Sequence, residues 1–206
     1  MILKKLKLRI PKSMLVTNCY IIADDESKEA MIIDPGSEAE KVIDMINLLG
    51  VSVKYIFLTH CHFDHIGAVP EIREKFGGKV LISRADYDGL KNDEISLIRF
   101  EDLGFDADSR VDDGDVIHVG NLEFKVISTP GHTEGCLCLY NEENKLLFSG
   151  DTIFYRTRGR TDLPTGSEEK IIDSIKNKVL TLPDDVIIYP GHGAPTAIKD
   201  ERYLYE

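Results

Sequence analysis

Apolar positions along the chain fall into short runs that either alternate with polar residues or are continuous and rich in Val, Ile and Leu. Such runs occur at Lys5–Ile10, Cys19–Ala23, Ala30–Asp34, Val53–Thr59, Lys79–Ile82, Val116–Val119, Leu122–Ser128, Cys136–Tyr140, Lys145–Ser149 and Val186–Tyr189. Each is bounded by Gly, Pro, Asn or Asp, which predicts a strand. Helical spacing replaces this pattern over Glu38–Leu49, Val69–Phe76 and Glu168–Leu180, the last with Ser167 placed as an N-cap. Strand pairs dominate and helices intersperse them, so the expected class is α/β (α+β), with layered sheets covered by helices. Ala85–Ser109 is charged and poorly patterned, which predicts a short helix and a surface loop. No low-complexity linker interrupts the pattern, and a single domain over residues 1–206 is expected.

The strand stops repeat. Apolar runs end in TPGH at Thr129–His132 and in YPGH at Tyr189–His192, and MIIDPG at Met31–Gly36 shares the Pro-Gly stop. Proline cannot donate to a ladder and glycine permits a sharp reversal, so each pair ends a strand. Two of the three stops are followed at once by histidine.

A third histidine-bearing stretch, THCHFDH at Thr59–His65, ends the run that starts at Val53. His60, His62 and Asp64 share one face of an extended chain, and His65 has the opposite parity. All four converge only if the backbone turns after about His62, as at a strand end entering a loop. Imidazole and carboxylate are the usual nitrogen and oxygen ligands of Zn(II), Fe(II) and Mn(II). Five of the six histidines (His60, His62, His65, His132 and His192) lie in these stops, and SGDTIF adds Asp151 at another strand end. Seven donors exceed the need of one tetrahedral ion and suit two ions sharing a carboxylate. The sixth histidine, His118, alternates within a strand pattern and is expected to be structural or exposed.

Charge and cysteine content narrow the setting. A net charge of -11 argues against nonspecific nucleic-acid binding. No segment reaches the length of a membrane span and the N-terminus lacks a signal-peptide pattern, so a cytoplasmic location is expected. Cys19, Cys61, Cys136 and Cys138 have no disulfide-framework spacing and are expected to be reduced.

HxHxDH at His60–His65, followed in order by His132, Asp151 and His192, resembles the metallo-β-lactamase superfamily. The resemblance implies an αββα sandwich with the metals at one sheet edge. It further implies that His60, His62 and His132 hold one ion and Asp64, His65 and His192 the other, bridged by Asp151. Asp34 would sit beneath them and orient a ligand histidine. Such a site holds two divalent ions, zinc first, with iron or manganese served by the same donors, and supports hydrolytic attack on a carbonyl or phosphoryl centre. Asp64 is the first candidate for handling the proton.

Outside the metal set, GDTIFYRTRGRTDLPTG at Gly150–Gly166 places Arg156, Arg158 and Arg160 just after the bridging ligand. An anion-holding rim for a small anionic thioester substrate is expected there, with Arg160 first and Arg158 and Tyr155 behind it. GRTDLPTG is similar to the corresponding loop of glyoxalase II enzymes and of persulfide dioxygenases, and THCHFDHIGAVPEIREKFG resembles glyoxalase II. Longer glyoxalase II proteins continue into a helical domain, whereas this sequence ends 14 residues after His192, so the short one-domain group is the nearer resemblance.

That resemblance implies hydrolysis of an S-(2-hydroxyacyl)glutathione to a 2-hydroxy acid and free thiol, with a metal-bridging hydroxide as nucleophile. The alternative is an iron-dependent glutathione persulfide dioxygenase, with one iron on His60, His132 and Asp151. True β-lactamases, which are usually exported and carry cysteine in place of the bridging aspartate, are set aside, as are RNA-processing and flavin-linked members.

Overall fold

The computed structural model describes residues 1–11, 13–98 and 104–205. Two mixed six-stranded sheets stack face to face. The first carries β1 (Ile2–Arg9), β2 (Val16–Ala23), β3 (Glu29–Ile33), β4 (Ser52–Phe57), β5 (Lys79–Ser83) and β6 (Ser109–Val111), in that spatial order. β1, β2 and β3 pair antiparallel, and β3 through β6 pair parallel. The second carries β7 (Val116–Val119), β8 (Leu122–Ser128), β9 (Leu137–Asn141) and β10 (Leu146–Gly150). It also carries β13 (Ile187–Pro190) and β14 (Thr196–Ala197), in the order β14-β13-β10-β9-β8-β7. Between β10 and β13 lies a separate two-stranded hairpin, β11 (Ile153–Phe154) with β12 (Thr157–Arg158).

The period of two explains the layers. On β2 and β3, Tyr20, Ile22, Met31 and Ile33 face the second sheet and meet Phe124, Val126, Leu139 and Phe148. Their neighbours Ile21, Ala30 and Ile32 face outward, against α1 (Ala39–Leu49) and α3 (Val69–Phe76). Strands covered on both faces read as continuous apolar runs, as β2, β9 and β10 do. Cys138, Leu147 and Ile188, on the outer face of the second sheet, are covered by Ile171 of α6 (Glu168–Ser174) and by Ile175 and Val179 of the following turn. The arrangement is the αββα sandwich of the metallo-β-lactamase fold.

Ser167 caps α6 through its hydroxyl, which accepts from the Lys170 N–H. The helix expected to reach Leu180 switches to π-helical geometry at Ile175–Val179. Within Ala85–Ser109 the chain forms α4 (Arg84–Leu90), capped by Ser83, and α5 (Asp93–Ser96); residues 99–103 of that expectation lie outside the described residues. All four cysteines are free and buried, and His118 is exposed on β7. No helix among the described residues is long and apolar enough to cross a membrane.

One crossing sets the depth of the future site. α2 (Phe63–Ile66) runs under the loop leaving β3, backbone against backbone. A Cβ on Gly36 would lie 1.7 Å from the Asp64 carbonyl oxygen, and one on Gly67 would lie 2.6 Å from the Gly36 carbonyl oxygen. By contrast, Gly50 at the end of α1 has positive φ and open space around it. We therefore expect Gly36→Ala to cost at least about 2 kcal/mol through overpacking, against about 1 kcal/mol for Gly50→Ala through backbone strain. Urea midpoints by far-UV circular dichroism compare the two; equal losses would show that the crossing tolerates a methyl group.

Candidate metal centre

Every donor picked out in the sequence follows the carboxyl end of a strand. His60, His62, Asp64 and His65 follow β4, His132 follows β8, Asp151 follows β10 and His192 follows β13. β8 and β10 are both antiparallel to β9, and β10 is parallel to β13, so the three strands of the second sheet point one way. Their ends therefore open on one edge of the sandwich, where the end of β4 joins them. Backbone hydrogen bonds lock the edge: Leu137 N–H to the Thr59 carbonyl at 2.9 Å, Asn18 N–H to Gly191 at 2.7 Å and Gly191 N–H to Gly150 at 2.8 Å.

The turn that the parity of Thr59–His65 demands falls at His62, which is extended (φ -65°, ψ 144°) and precedes α2. Three groups of donors result: His60, His62 and His132; His60, His65 and Asp151; and Asp64, His65 and His192, each with its atoms within 4.8 Å of one another. Across the centre, the Asp151 carboxylate lies 3.5 Å from His132 Nε2, 3.3 Å from His192 Nε2 and 3.4 Å from His65 Nε2. His192 Nε2 is 3.4 Å from the Asp64 carboxylate. Ligand atoms at about 2.0–2.1 Å from a tetrahedral ion lie about 3.3–3.4 Å apart, so these separations match the edges of coordination tetrahedra.

The unpaired groups point the same way. His60 Nε2 and Asp151 Oδ1 are buried without a hydrogen-bond partner, although a buried polar atom without one costs about 1–3 kcal/mol. Burial opposes charge on His65, but Asp151, Asp64 and Asp34 outweigh it and push the imidazole up to about 9. Burial likewise opposes charge on His192, and Asp151 and Asp64 carry it up to about 11. His62, where burial acts with the neighbouring His132, drops to about 3. Burial and the surrounding imidazoles also hold His60 well below its ordinary value. The carboxylates thus call for positive charge at the centre, and His60 and His62 are neutral donors beside it. The donor set fits divalent cations.

The far nitrogens of four histidines are fixed. His65 Nδ1 lies 3.0 Å from Asp34 Oδ2, His132 Nδ1 2.8 Å from the Arg160 carbonyl, His192 Nδ1 2.8 Å from the Val16 carbonyl and His60 Nδ1 3.1 Å from the Thr59 hydroxyl. Asp34 also accepts from the Thr59 N–H and hydroxyl, at 2.8 and 2.7 Å. Its φ of 52° lies in the left-handed region, at a cost of about 1–2 kcal/mol for a residue with a Cβ. That conformation turns its carboxylate beneath the histidines. Thr17, which nothing in the sequence singled out, donates its hydroxyl to Asp64 Oδ2 at 3.1 Å. Its only signal is the polar pair Thr17–Asn18 near the start of a strand that is apolar beyond it.

A cavity of about 400 Å³ opens over the centre. His62, Asp64, His132, Asp151 and His192 form its floor, and Leu15, Phe63, Leu97, Phe154 and Leu163 supply apolar wall. The ring of Phe154 stands edge-on to His192 at 5.7 Å. Arg158 and Arg160 line the rim, but each has a counterion: Arg158 pairs with Glu168, and Arg160 holds Asp162 through two bonds of 2.7 Å. Tyr155, expected at the substrate, is outside the lining and half exposed, because it falls in the turn between β11 and β12 while Phe154 takes the inward position. Arg156 shares that turn, with its guanidinium 5.2 Å from the Tyr155 ring. Tyr140 and Tyr189 are buried and partly buried in the core.

Comparison with known proteins agrees with this geometry. The family model for the metallo-beta-lactamase superfamily matches residues 14–192. The hydroxyacylglutathione hydrolase GloC of Haemophilus influenzae is 37% identical over 206 residues, covering 94% of this chain and 93% of that protein. The mitochondrial persulfide dioxygenase ETHE1 of Homo sapiens is 33% identical over 194 residues, covering 91% of this chain and 70% of that protein. A solved structure named BLEG-1 B3 metallo-beta-lactamase superposes with a TM-score of 0.85 at 34% identity, covering 97% of this chain and 95% of the other. The exclusion of β-lactam hydrolysis drawn from the sequence thus meets a similar protein named for that activity. With its fold, its donor set and a family match over most of its length, the chain belongs to the metallo-beta-lactamase superfamily.

Proposed function

We propose that this protein is a thioester hydrolase of the hydroxyacylglutathione hydrolase type, built on two divalent ions. The observation that carries this reading is the convergence of seven donors in overlapping groups, which a one-ion centre does not need. His60, His62 and His132 would hold one ion, Asp64, His65 and His192 the other, and Asp151 both. Zinc suits the nitrogen-rich set, and iron or manganese is accepted by the same donors. Bound there, two such ions acidify a water molecule and polarise a carbonyl oxygen.

The chain's own groups supply the rest. Asp64 faces the cavity, is held by Thr17, and has its carboxyl kept below the ordinary range by His65 and His192 in spite of burial. It is therefore ionised, and orients the attacking water and takes its proton. Phe63, Phe154 and Leu163 pack the acyl chain and keep bulk water from the carbonyl. Arg158 and Arg160 sit where an anionic thiol moiety would leave the cavity, and substrate carboxylates would exchange with Glu168 and Asp162 for them. Exposed ion pairs are worth about 0–1 kcal/mol, so such an exchange costs little. Similarity to GloC over nearly the whole of both chains supports this substrate class.

Likeness to ETHE1 favours a second reading, persulfide oxidation on one iron held by His60, His132 and Asp151. The two differ in metal count and in oxygen use. Anaerobic assay of metal-analysed protein with S-D-lactoylglutathione is expected to release free thiol in proportion to metal content, up to about two ions per chain. Asp151→Ala should abolish release. If fully metallated protein releases none, the hydrolase reading fails; oxygen uptake with glutathione persulfide, or opening of a cephalosporin ring, would then name the activity. Asp64→Asn is expected to keep KM within a few-fold and lower kcat by about 10²-fold or more. Full turnover in a variant that holds both ions would remove the proton-handling role from Asp64.

A further inference from the structure

Asp86 belongs to none of the three donor groups, yet its carboxylate joins two of the segments that carry them. It lies in the first turn of α4 and is 1% exposed. Its Oδ2 accepts from the Cys61 N–H at 3.0 Å and from the Thr133 hydroxyl at 2.8 Å, and its Oδ1 accepts from the Gly135 N–H at 2.9 Å. Cys61 stands between His60 and His62, and Thr133 directly follows His132. One carboxylate thus ties the end of β4, in the first sheet, to the turn after β8, in the second.

The contact is built closely. The Ser83 hydroxyl accepts from the Asp86 N–H at 3.1 Å and fixes the start of α4. A Cβ on Gly135 would lie 2.2 Å from Ser83 Oγ and 2.4 Å from Asp86 Oδ1, so only glycine lets the turn approach this near. All three partners of the carboxylate are donors. An amide in its place has one acceptor oxygen and sets an N–H group against another donor. Burial raises the carboxyl above its ordinary value while the hydrogen bonds pull against it. Burial also keeps the thiols of Cys61 and Cys136 well above theirs, so they remain protonated neighbours.

His62 shows why such a tie is needed. The other four histidines have their far nitrogen held by a carboxylate, carbonyl or hydroxyl, as above. His62 Nδ1 faces His132 Nε2 at 2.9 Å, and its Nε2 is buried with no hydrogen-bond partner. With no anchor outside the donor set, the ring depends on the backbone beside it, which Asp86 holds at Cys61.

We propose that Asp86 is a positioning residue for the ion held by His60, His62 and His132: its carboxylate fixes the His60–His62 segment relative to the His132 turn and so sets the affinity of that site without touching the ion. The inference rests on the ligand assignment proposed above.

Zinc titration of metal-free full-length protein by calorimetry tests it. A His192→Ala background leaves the His60–His62–His132 site to be read, and a His62→Ala background leaves the other. Asp86→Asn is expected to raise Kd about 10–100-fold in the first background and less than about threefold in the second. Thr133→Val, which keeps volume and removes one donor, should shift the first site in the same direction by a smaller factor, and decides the matter if Asp86→Asn does not fold. Ile46→Val, in the core between the first sheet and α1, should lower Tm and leave both affinities unchanged. Unchanged affinity of the first site in Asp86→Asn, or equal losses at both sites, would overturn the proposal. Should the unsubstituted protein take up only one ion, the two-ion reading falls. Asp86 is then judged by that ion, since His60 and His132 serve both readings.

Discussion

Three buried carboxylates, Asp34, Asp64 and Asp151, lie within a few ångströms of five imidazoles, and the remainder of the structure serves that concentration of charge. Burying an ionised carboxylate costs several kcal/mol unless hydrogen bonds and opposite charge meet it. Asp34 is met by Thr59 and His65, Asp64 by Thr17 and His192, and Asp151 by His65, His132 and His192. The imidazoles answer in two ways. His65 and His192 are driven toward the charged form, while His60 and His62 are driven away from it. A centre with this internal tension is completed by cations, and the orphaned nitrogen of His60 and oxygen of Asp151 are where they would bind.

Strand direction gathers the donors. Parallel pairing of β3 with β4 and of β10 with β13 sends their carboxyl ends to the same edge, and the double reversal through β9 returns β8 to it as well. Each donor then needs only a sharp turn at its strand end: Pro-Gly pairs precede His132 and His192, Gly150 with its positive φ precedes Asp151, and α2 starts directly after His62. The close crossing at Gly36 and Gly67 brings α2 near enough for Asp64 and His65 to face the donors of the second sheet. Two carboxylates outside the donor groups, Asp34 and Asp86, brace this edge from different sides. One holds His65 and Thr59, the other the backbone at Cys61 and Gly135 and the hydroxyl of Thr133.

Above the donors the character changes. The cavity wall is mainly leucine and phenylalanine, and its two arginines are engaged with acidic neighbours. Both guanidiniums are thus already neutralised, and an anion entering the cavity would have to exchange with Glu168 and Asp162 for them. The apolar wall restricts solvent around the buried donors, which strengthens each electrostatic contact made beneath it.

The amino-acid sequence by itself determined ten of the strands, the helices at Val69–Phe76 and after Ser167, and the candidate donors, because each is written in local periodicity or in residue types that have one chemistry; the short β6, β11, β12 and β14 carry no such period. The parity of His60, His62, Asp64 and His65 even required the turn found at His62. What only the tertiary structure decided are relations between segments far apart in the chain. Tyr155 and Phe154 are adjacent, and only the β11–β12 hairpin directs the phenyl ring into the cavity and leaves the phenol outside. Arg160 carries a charge that suggests substrate, yet its backbone carbonyl fixes His132, and backbone groups leave no mark in side-chain identity. Thr17 and Asp86 look like an ordinary strand threonine and helix aspartate until the sheets close. A hydrogen bond across 47 residues, as from Thr17 to Asp64 or from Thr133 to Asp86, has no local pattern to announce it.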